Sequence, residues 1–338
     1  MSVEIEEVAE ADWPALAAGF ADLTYEQDAD YVAARARRIG ARVRRLAVLR
    51  DGEPIGAACL RIRALPRLER GIAYVLAGPL TGRGPAEGAE ERAARTLGAL
   101  RSRLVDREGH LLRVRQPVMA CWPGAARMAR AGFAPTDRAP VYRTVLVDLA
   151  PDAEALRKGL HQKWRYELRR AEAEATAIDT GRSRDLVERF LALYAVMREF
   201  KSFEQNFDPA FLLDMTETGF DFEVRIAHGE GGDVAGHVTA FTPACATYLF
   251  GATTEAGRGL RAGYALGWDA ILGARARGAR WFDLGGVDKE TNPAGHTFKI
   301  RTGGREVMAD PWEAGTLLGG PLLRGVERAY GALRRRAG

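Results

Sequence analysis

Thr247–Gly251 (TYLFG), Tyr264–Arg277 (YALGWDAILGARAR) and Arg280–Leu284 (RWFDL) decide how this chain is read. The first is a short apolar strand, the second a helix and the third another strand. Ala256–Gly263, rich in Gly and Arg, is the loop that enters the helix. Upstream, Phe222–Ala227 and Val234–Phe241 are strand runs around the turn Glu230-Gly231-Gly232-Asp233. An apolar run, a glycine turn and a second apolar run make a hairpin. The same order occurs earlier. Val43–Leu49, the turn Asp51-Gly52 and Pro54–Ile62 precede the strand Gly71–Ala77, a helix over about 91–107 and the strand Leu111–Arg115. Asp-Gly between apolar runs is a strong hairpin signal. Gly52 and Gly232 are 180 residues apart, and the closing strands near Arg113 and Phe282 are 169 apart. A shared order at a near-constant offset predicts two similar α/β halves, each a mostly antiparallel mixed sheet flanked by helices.

The chain has 338 residues, 47% hydrophobic and 28% charged, which is ample to bury cores and excludes a disordered or coiled-coil protein. No apolar run nears the ~18 residues of a membrane span. The acidic start MSVEIEEVAEADW lacks the basic and apolar regions of a signal peptide, so a cytoplasmic protein is expected. Net charge is +4, and only five of the 49 basic residues are lysines, at 158, 163, 201, 289 and 299. A retained lysine therefore says more than any one arginine. Cys59, Cys121 and Cys245 are far apart and the five histidines show no ligand spacing, so no metal is expected. Walker A, GxSxG and GxGxxG motifs are absent.

Val141–Leu149 joins the halves and Pro151-Asp152 opens a helix expected to run to about 175. Leu156, Leu160, Trp164, Leu168, Ala171 and Ala175 form its apolar stripe. Lys163, Arg165 and Arg169 lie on the remainder, as a solvated face or as an edge that meets an anionic ligand. Leu322–Arg336 reads as a basic terminal helix. The expected division is 1–150 and 151–338.

Four patterns carry a family resemblance. They are Gln27-x-x-x-Tyr31-x-x-x-Arg35; Ala73-Tyr74-Val75-x-x-Gly78-Pro79; Lys163-x-Arg165 with Leu168-Arg169-Arg170-Ala171-Glu172; and a long last one. That last pattern runs from Tyr248-Leu249-Phe250-Gly251-Ala252 through Tyr264-x-x-x-Trp268 and Trp281-Phe282-Asp283-Leu284-Gly285-Gly286 to Phe298-Lys299-x-x-x-Gly303-Gly304. In this order they resemble the Fem (FemABX) aminoacyltransferases of peptidoglycan cross-bridges, in the compact type without a coiled-coil arm. The resemblance implies two tandem GNAT-like acyltransferase domains. It also implies an aminoacyl-tRNA co-substrate and no resident cofactor. The product would be an amide on a free amine, from a peptidoglycan precursor or a small natural-product acceptor. A monomer is expected. One departure stands out: Phe203-Glu204-Gln205-Asn206 has Asn206 where the family often has a phosphate-binding arginine.

Turning an ester into an amide needs a positioned amine and a preorganised charge for the oxyanion, without a covalent nucleophile. By resemblance Lys299 supplies the charge, with Phe298 fixing it by packing and lining the substrate site, or else belonging to the core. Asp283 takes or orients the amine proton, or else caps the next turn. Arg35 matches the family's cation near substrate phosphate. Tyr74 and Tyr248 line the acceptor groove, or are core tyrosines with bonded hydroxyls. Lys163, Arg165 and Arg169 meet the tRNA acceptor end. Two other functions compete. One is an acyl-CoA-dependent N-acyltransferase, against which Arg261 stands where the pyrophosphate loop wants glycine. The other is a non-catalytic protein that binds a cell-wall precursor.

Overall fold

The computed structural model describes residues 3–64, 70–120, 122–174, 176–200 and 208–337. Cys121, Ala175 and Phe203–Asn206 lie outside the described residues. The strands are β1 (Val3–Glu7), β2 (Arg42–Arg50), β3 (Glu53–Ala64), β4 (Gly71–Leu76), β5 (Leu111–Arg115), β6 (Ala134–Pro135), β7 (Tyr142–Asp148), β8 (Ile178–Gly181), β9 (Phe222–Gly229), β10 (Gly232–Phe241), β11 (Cys245–Thr253), β12 (Trp281–Asp283), β13 (Arg305–Ala309) and β14 (Pro311–Ala314). The helices are α1 (Trp13–Ala18), α2 (Ala29–Ile39), α3 (Ala89–Arg101), α4 (Ala125–Arg130), α5 (Ala153–Gly159), α6 (Gln162–Ala173), α7 (Arg184–Phe200), α8 (Leu212–Met215), α9 (Glu255–Gly259), α10 (Ala262–Ala276), α11 (Pro293–Ile300) and α12 (Gly319–Ala337).

Two seven-stranded sheets result, ordered β1-β2-β3-β4-β5-β14-β6 and β13-β7-β12-β11-β10-β9-β8. The pair β4–β5 is parallel in the first and β11–β12 in the second, each following two antiparallel pairs. This is the repeat expected from the offset. The expected division at 150 differs from what is found. One unit is Met1–Tyr142 with Ala309–Gly338, and the other is Arg143–Met308. The cause is strand pairing. β7 joins β12 antiparallel, and β14 returns from the far end of the chain to join β5 antiparallel.

In the first unit, alternation along β2–β5 sends Leu46, Val48, Leu60, Ile62, Val75 and Val114 to one face, where Leu97 and Leu100 of α3 cover them. The opposite face carries a polar row beside the apolar Ile72 and Leu111. Arg61, Tyr74, Arg113 and Glu313 are register partners in one row across β3, β4, β5 and β14. Arg113 is 1% exposed and binds Glu327 of α12 through both terminal nitrogens, at 2.6 and 2.7 Å. Its Nε donates to Glu313 at 3.0 Å. Buried Gln27, from the first motif, ties strands together: its amide nitrogen donates to the Cys59 and Leu76 carbonyls, and its oxygen accepts from Cys59 N at 2.8 Å.

In the second unit, α6 and α10 cover one sheet face with Trp164, Leu168, Ile271 and Ala274 packed on Val145 and Phe282. The helix expected to reach 175 breaks into α5 and α6. Leu160 is extended (ψ 143°), and His161 N donates to the Arg301 carbonyl at 2.9 Å. Arg165 holds that corner by donating to the carbonyls of Lys158, at 2.6 Å, and Leu160.

Arg113→Ala removes the cation between two carboxylates, and breaking such a buried set is expected to cost about 3–5 kcal/mol in urea unfolding. A loss below ~1 kcal/mol would show that the cluster does not anchor β14 and α12.

Candidate functional site

The parallel ladder between β11 and β12 lasts only three pairs, Cys245↔Trp281, Ala246↔Phe282 and Thr247↔Asp283. β11 continues to Thr253, whereas β12 stops at Asp283. The two strands therefore part at Tyr248. Opposite β10, the register slips by one residue, pairing Val238 with Phe250 and Thr239 with Tyr248, so Leu249 is a bulge. Such a bulge re-aims the neighbouring side chain.

Past Asp283 the chain turns at Gly285, whose φ of 69° suits glycine. A Cβ there would also strike the Tyr248 carbonyl. Asp283 is buried and fixes this turn. It accepts from Gly285 N at 2.8 Å and from the Thr144 hydroxyl.

Lys299 sits near the C-terminus of α11. Its half-buried ammonium donates to the Gly286 carbonyl at 2.8 Å and lies 5.0 Å from the centre of the Tyr248 ring. Burial pulls its pKa down to about 8, opposed by the Asp283 carboxylate. Burial pushes the Tyr248 phenol up to about 12, with Tyr194 adding to the shift. The phenol passes over Gly251, where a Cβ would collide with its oxygen. His237 of β10 stacks on the same ring, centroids 4.3 Å apart at 22°. Its Nδ1 lies 3.2 Å from the Thr239 hydroxyl. Burial, then Arg225 and Lys299, hold His237 well below its ordinary pKa, so it is neutral at pH 7.

Lys299, Asp283 and Tyr248 are thus brought together in the second unit. Phe298 faces Trp164 and Tyr264, at 5.7 and 5.1 Å, and packs α11 against α6 and α10. Of the three cations named on α6, Arg165 is bonded into the α5–α6 corner, while Lys163 and Arg169 are exposed. Glu167 and Glu172 pair with Arg261 and Arg157, leaving Lys163, Arg169 and Arg170 without a carboxylate among the described residues. Tyr166, 48% exposed, shares their face, with Arg170 5.8 Å over its ring.

Arg35 and Tyr74 belong to the first unit. Tyr74 donates its hydroxyl to Glu327 at 3.2 Å and accepts from Arg113. Beside it in the polar row, Arg61 has no ion pair or hydrogen bond among the described residues. Burial, with Arg35 adding and Tyr31 opposing, lowers its pKa. Burial pushes the Tyr31 phenol up to about 12. Arg35 and the Glu26 carboxylate both act on Arg61 through their charge, in opposite senses. Sequence reasoning missed Arg61 and His237. A histidine within the apolar run Val234–Phe241 was the one available signal for the latter.

The buried thiols are no nucleophiles, since burial pushes Cys59 up to about 12 and Cys245 higher still. No group of three or more His, Cys, Asp or Glu able to hold a metal occurs among the described residues.

Residues 157–299 match the acetyltransferase (GNAT) domain family. The fold is that of the crystal structure of FemX, with a TM-score of 0.76 and 14% identity over 96% of this chain and 100% of that one. The C-terminal domain of a putative lysylphosphatidylglycerol synthetase from Agrobacterium fabrum is also similar (TM-score 0.55, 13% identity, 94% and 95% covered). So is a conserved protein of unknown function from Bacteroides thetaiotaomicron (TM-score 0.57, 11% identity, 93% and 100% covered). No curated protein matches the sequence. Residues 157–299 are thus a GNAT domain, and the chain as a whole has two similar mixed sheets and the fold of FemX, as the motifs implied.

Competitive labelling with a trace amine reagent across neutral and alkaline pH should titrate Lys299 near 8. Gly251→Ala displaces the Tyr248 ring, and should return Lys299 towards the ordinary lysine value. An unmoved titration would separate Lys299 from Tyr248.

Proposed function

We propose that this protein, which has a GNAT domain and shares the fold of FemX, is an acyltransferase that carries an aminoacyl group from a tRNA ester to a free amine. The observation that carries this reading is Lys299, a partly desolvated ammonium fixed where β11 and β12 part, with no activated nucleophile beside it. The amine attacks the ester carbonyl directly. The carbonyl oxygen becomes an oxyanion facing Lys299, the bond to the ribose oxygen breaks, and that oxygen takes the proton the amine loses. Asp283 acts by holding Thr144 and the Gly285 turn, which sets the carbonyl that orients Lys299. Phe298 acts through packing.

The exposed α6 face supports an RNA donor. Lys163, Arg169 and Arg170 offer charge to phosphates, and Tyr166 offers a ring on which an unpaired base can stack. α6 packs on α11 through Trp164 and Phe298, so this face is built onto the helix that bears Lys299. The loop after β11 favours the same donor over acyl-CoA. Its amides are already bonded: Gly257 N to Thr254 Oγ1, Arg258 N to the Thr254 carbonyl and Leu260 N to the Ala256 carbonyl. Arg261, at φ 57°, folds back onto Glu167 and the Gly259 carbonyl. Within the first unit, the cations Arg35 and Arg61 suit an anionic group. A peptidoglycan precursor or an acidic small amine carries one.

Labelled aminoacyl-tRNAs offered with peptidoglycan-precursor peptides and small amines should give RNase-sensitive transfer. Acyl-CoA turnover without such transfer would replace this reading with the CoA-dependent one, and neither activity would favour a binding protein. Lys299→Ala should lower kcat/KM by ~10²–10³-fold with folding intact. Because the ammonium form is needed, the rate should fall as pH rises through about 8. Lys163→Glu with Arg169→Glu should raise KM for tRNA and flatten its salt dependence.

A further inference from the structure

Three leucines, Leu317, Leu318 and Leu322, are the most exposed large apolar side chains among the described residues, at 95%, 88% and 61%. They fall within six residues at the entrance to α12. The segment is ordered there. Gly319 N donates to Thr316 Oγ1 at 3.0 Å, Gly320 N to the Thr316 carbonyl at 2.9 Å and Leu322 N to the Leu318 carbonyl at 3.4 Å. Leu318 and Leu322 are thus one helical turn apart on one face. Gly325 and Ala329, the next positions along that face, are also exposed.

The other side of α12 is docked. Leu323 packs on Ile72 and Leu111, and Glu327 binds Arg113 and Tyr74. This orientation sorts the charge. From 319 to 338 the chain has five arginines and one acidic residue. That acid is Glu327, which faces inward. Arg324 pairs with Glu313, while exposed Arg328 has no carboxylate partner among the described residues. Outward, then, the described part of α12 offers leucine with Arg328 beside it.

We infer that the Leu317–Leu322 ridge and the outer side of α12 dock the protein on an anionic lipid bilayer. Leucines that enter the headgroup boundary beside arginines that meet anionic headgroups are the chemistry of interfacial binding. No described helix is long and apolar enough to cross a membrane, so the contact is peripheral. A second copy of the chain fits less well, because a two-fold contact on this face would set arginine against arginine. The inference is independent of the transfer reaction.

The test is co-sedimentation of the full chain with phosphatidylcholine vesicles, with and without phosphatidylglycerol, at low and high salt. Binding is expected only to the anionic vesicles, and salt should weaken it. Leu318→Asp with Leu322→Asp should cut the bound fraction about tenfold. Arg328→Glu should weaken it less. Leu317→Asp, at the most exposed position, repeats the test should the double variant unfold. Thermal unfolding and Lys299 titration should not change in any bound-deficient variant that folds. A chain that stays in the supernatant with anionic vesicles overturns the inference, as does equal binding by the folded variants. A dimer in sedimentation velocity that the leucine variants abolish would assign the ridge to a second copy instead.

Discussion

The second unit is organised by the early end of one ladder. A parallel strand pair that separates after Thr247 and Asp283 leaves backbone groups that need partners away from water. Leu284 N finds the Val145 carbonyl, and two other groups are met by side chains. Asp283 takes Gly285 N, and Lys299 takes the Gly286 carbonyl. The Leu249 bulge and the glycines at 251 and 285 then let the Tyr248 ring lie under the ammonium. The first unit meets a comparable problem between β3 and β4, where Gln27 reaches both Cys59 and Leu76. One fold therefore satisfies a gap with a neutral amide in one unit and a cation in the other. Only the cation has electrostatic use for chemistry.

Much of this was legible. Alternation and Asp-Gly or Gly-Gly turns located the hairpins β2–β3 and β9–β10, because both signals are local. The boundary at 150 was not, because the place of β7 and β14 depends on partners over a hundred residues distant. The break at Leu160 depends on Arg165 and on the Arg301 carbonyl, and an unbroken apolar stripe conceals it. At the site, Lys299, Asp283 and Tyr248 were visible through a family resemblance. His237 belongs to no motif, and Arg61 was hidden among many arginines whose bonding differs only in three dimensions.

That difference in bonding gives the arginines their separate meanings. Arg113, Arg115 and Arg225 are buried but paired with carboxylates. Desolvation is offset there and the groups act as struts. Arg61 has no such pair among the described residues, and burial lowers its pKa against the opposing Tyr31, Glu26 and Tyr74. Composition counts these residues alike, whereas the sheet gives them different partners.

The return of β14 and α12 to the first sheet also sets an order of events on the ribosome. Residues 143–308 are contiguous and can close their own sheet as soon as they emerge. The first unit cannot. Until residues 309–338 are made, β5 has β4 on one side but lacks β14 on the other, and Arg113 lacks both carboxylates. The N-terminal half of the protein is therefore the later one to mature, and a nascent chain that has emerged only as far as β13 would hold a second unit with all its strands and a first unit still lacking β14.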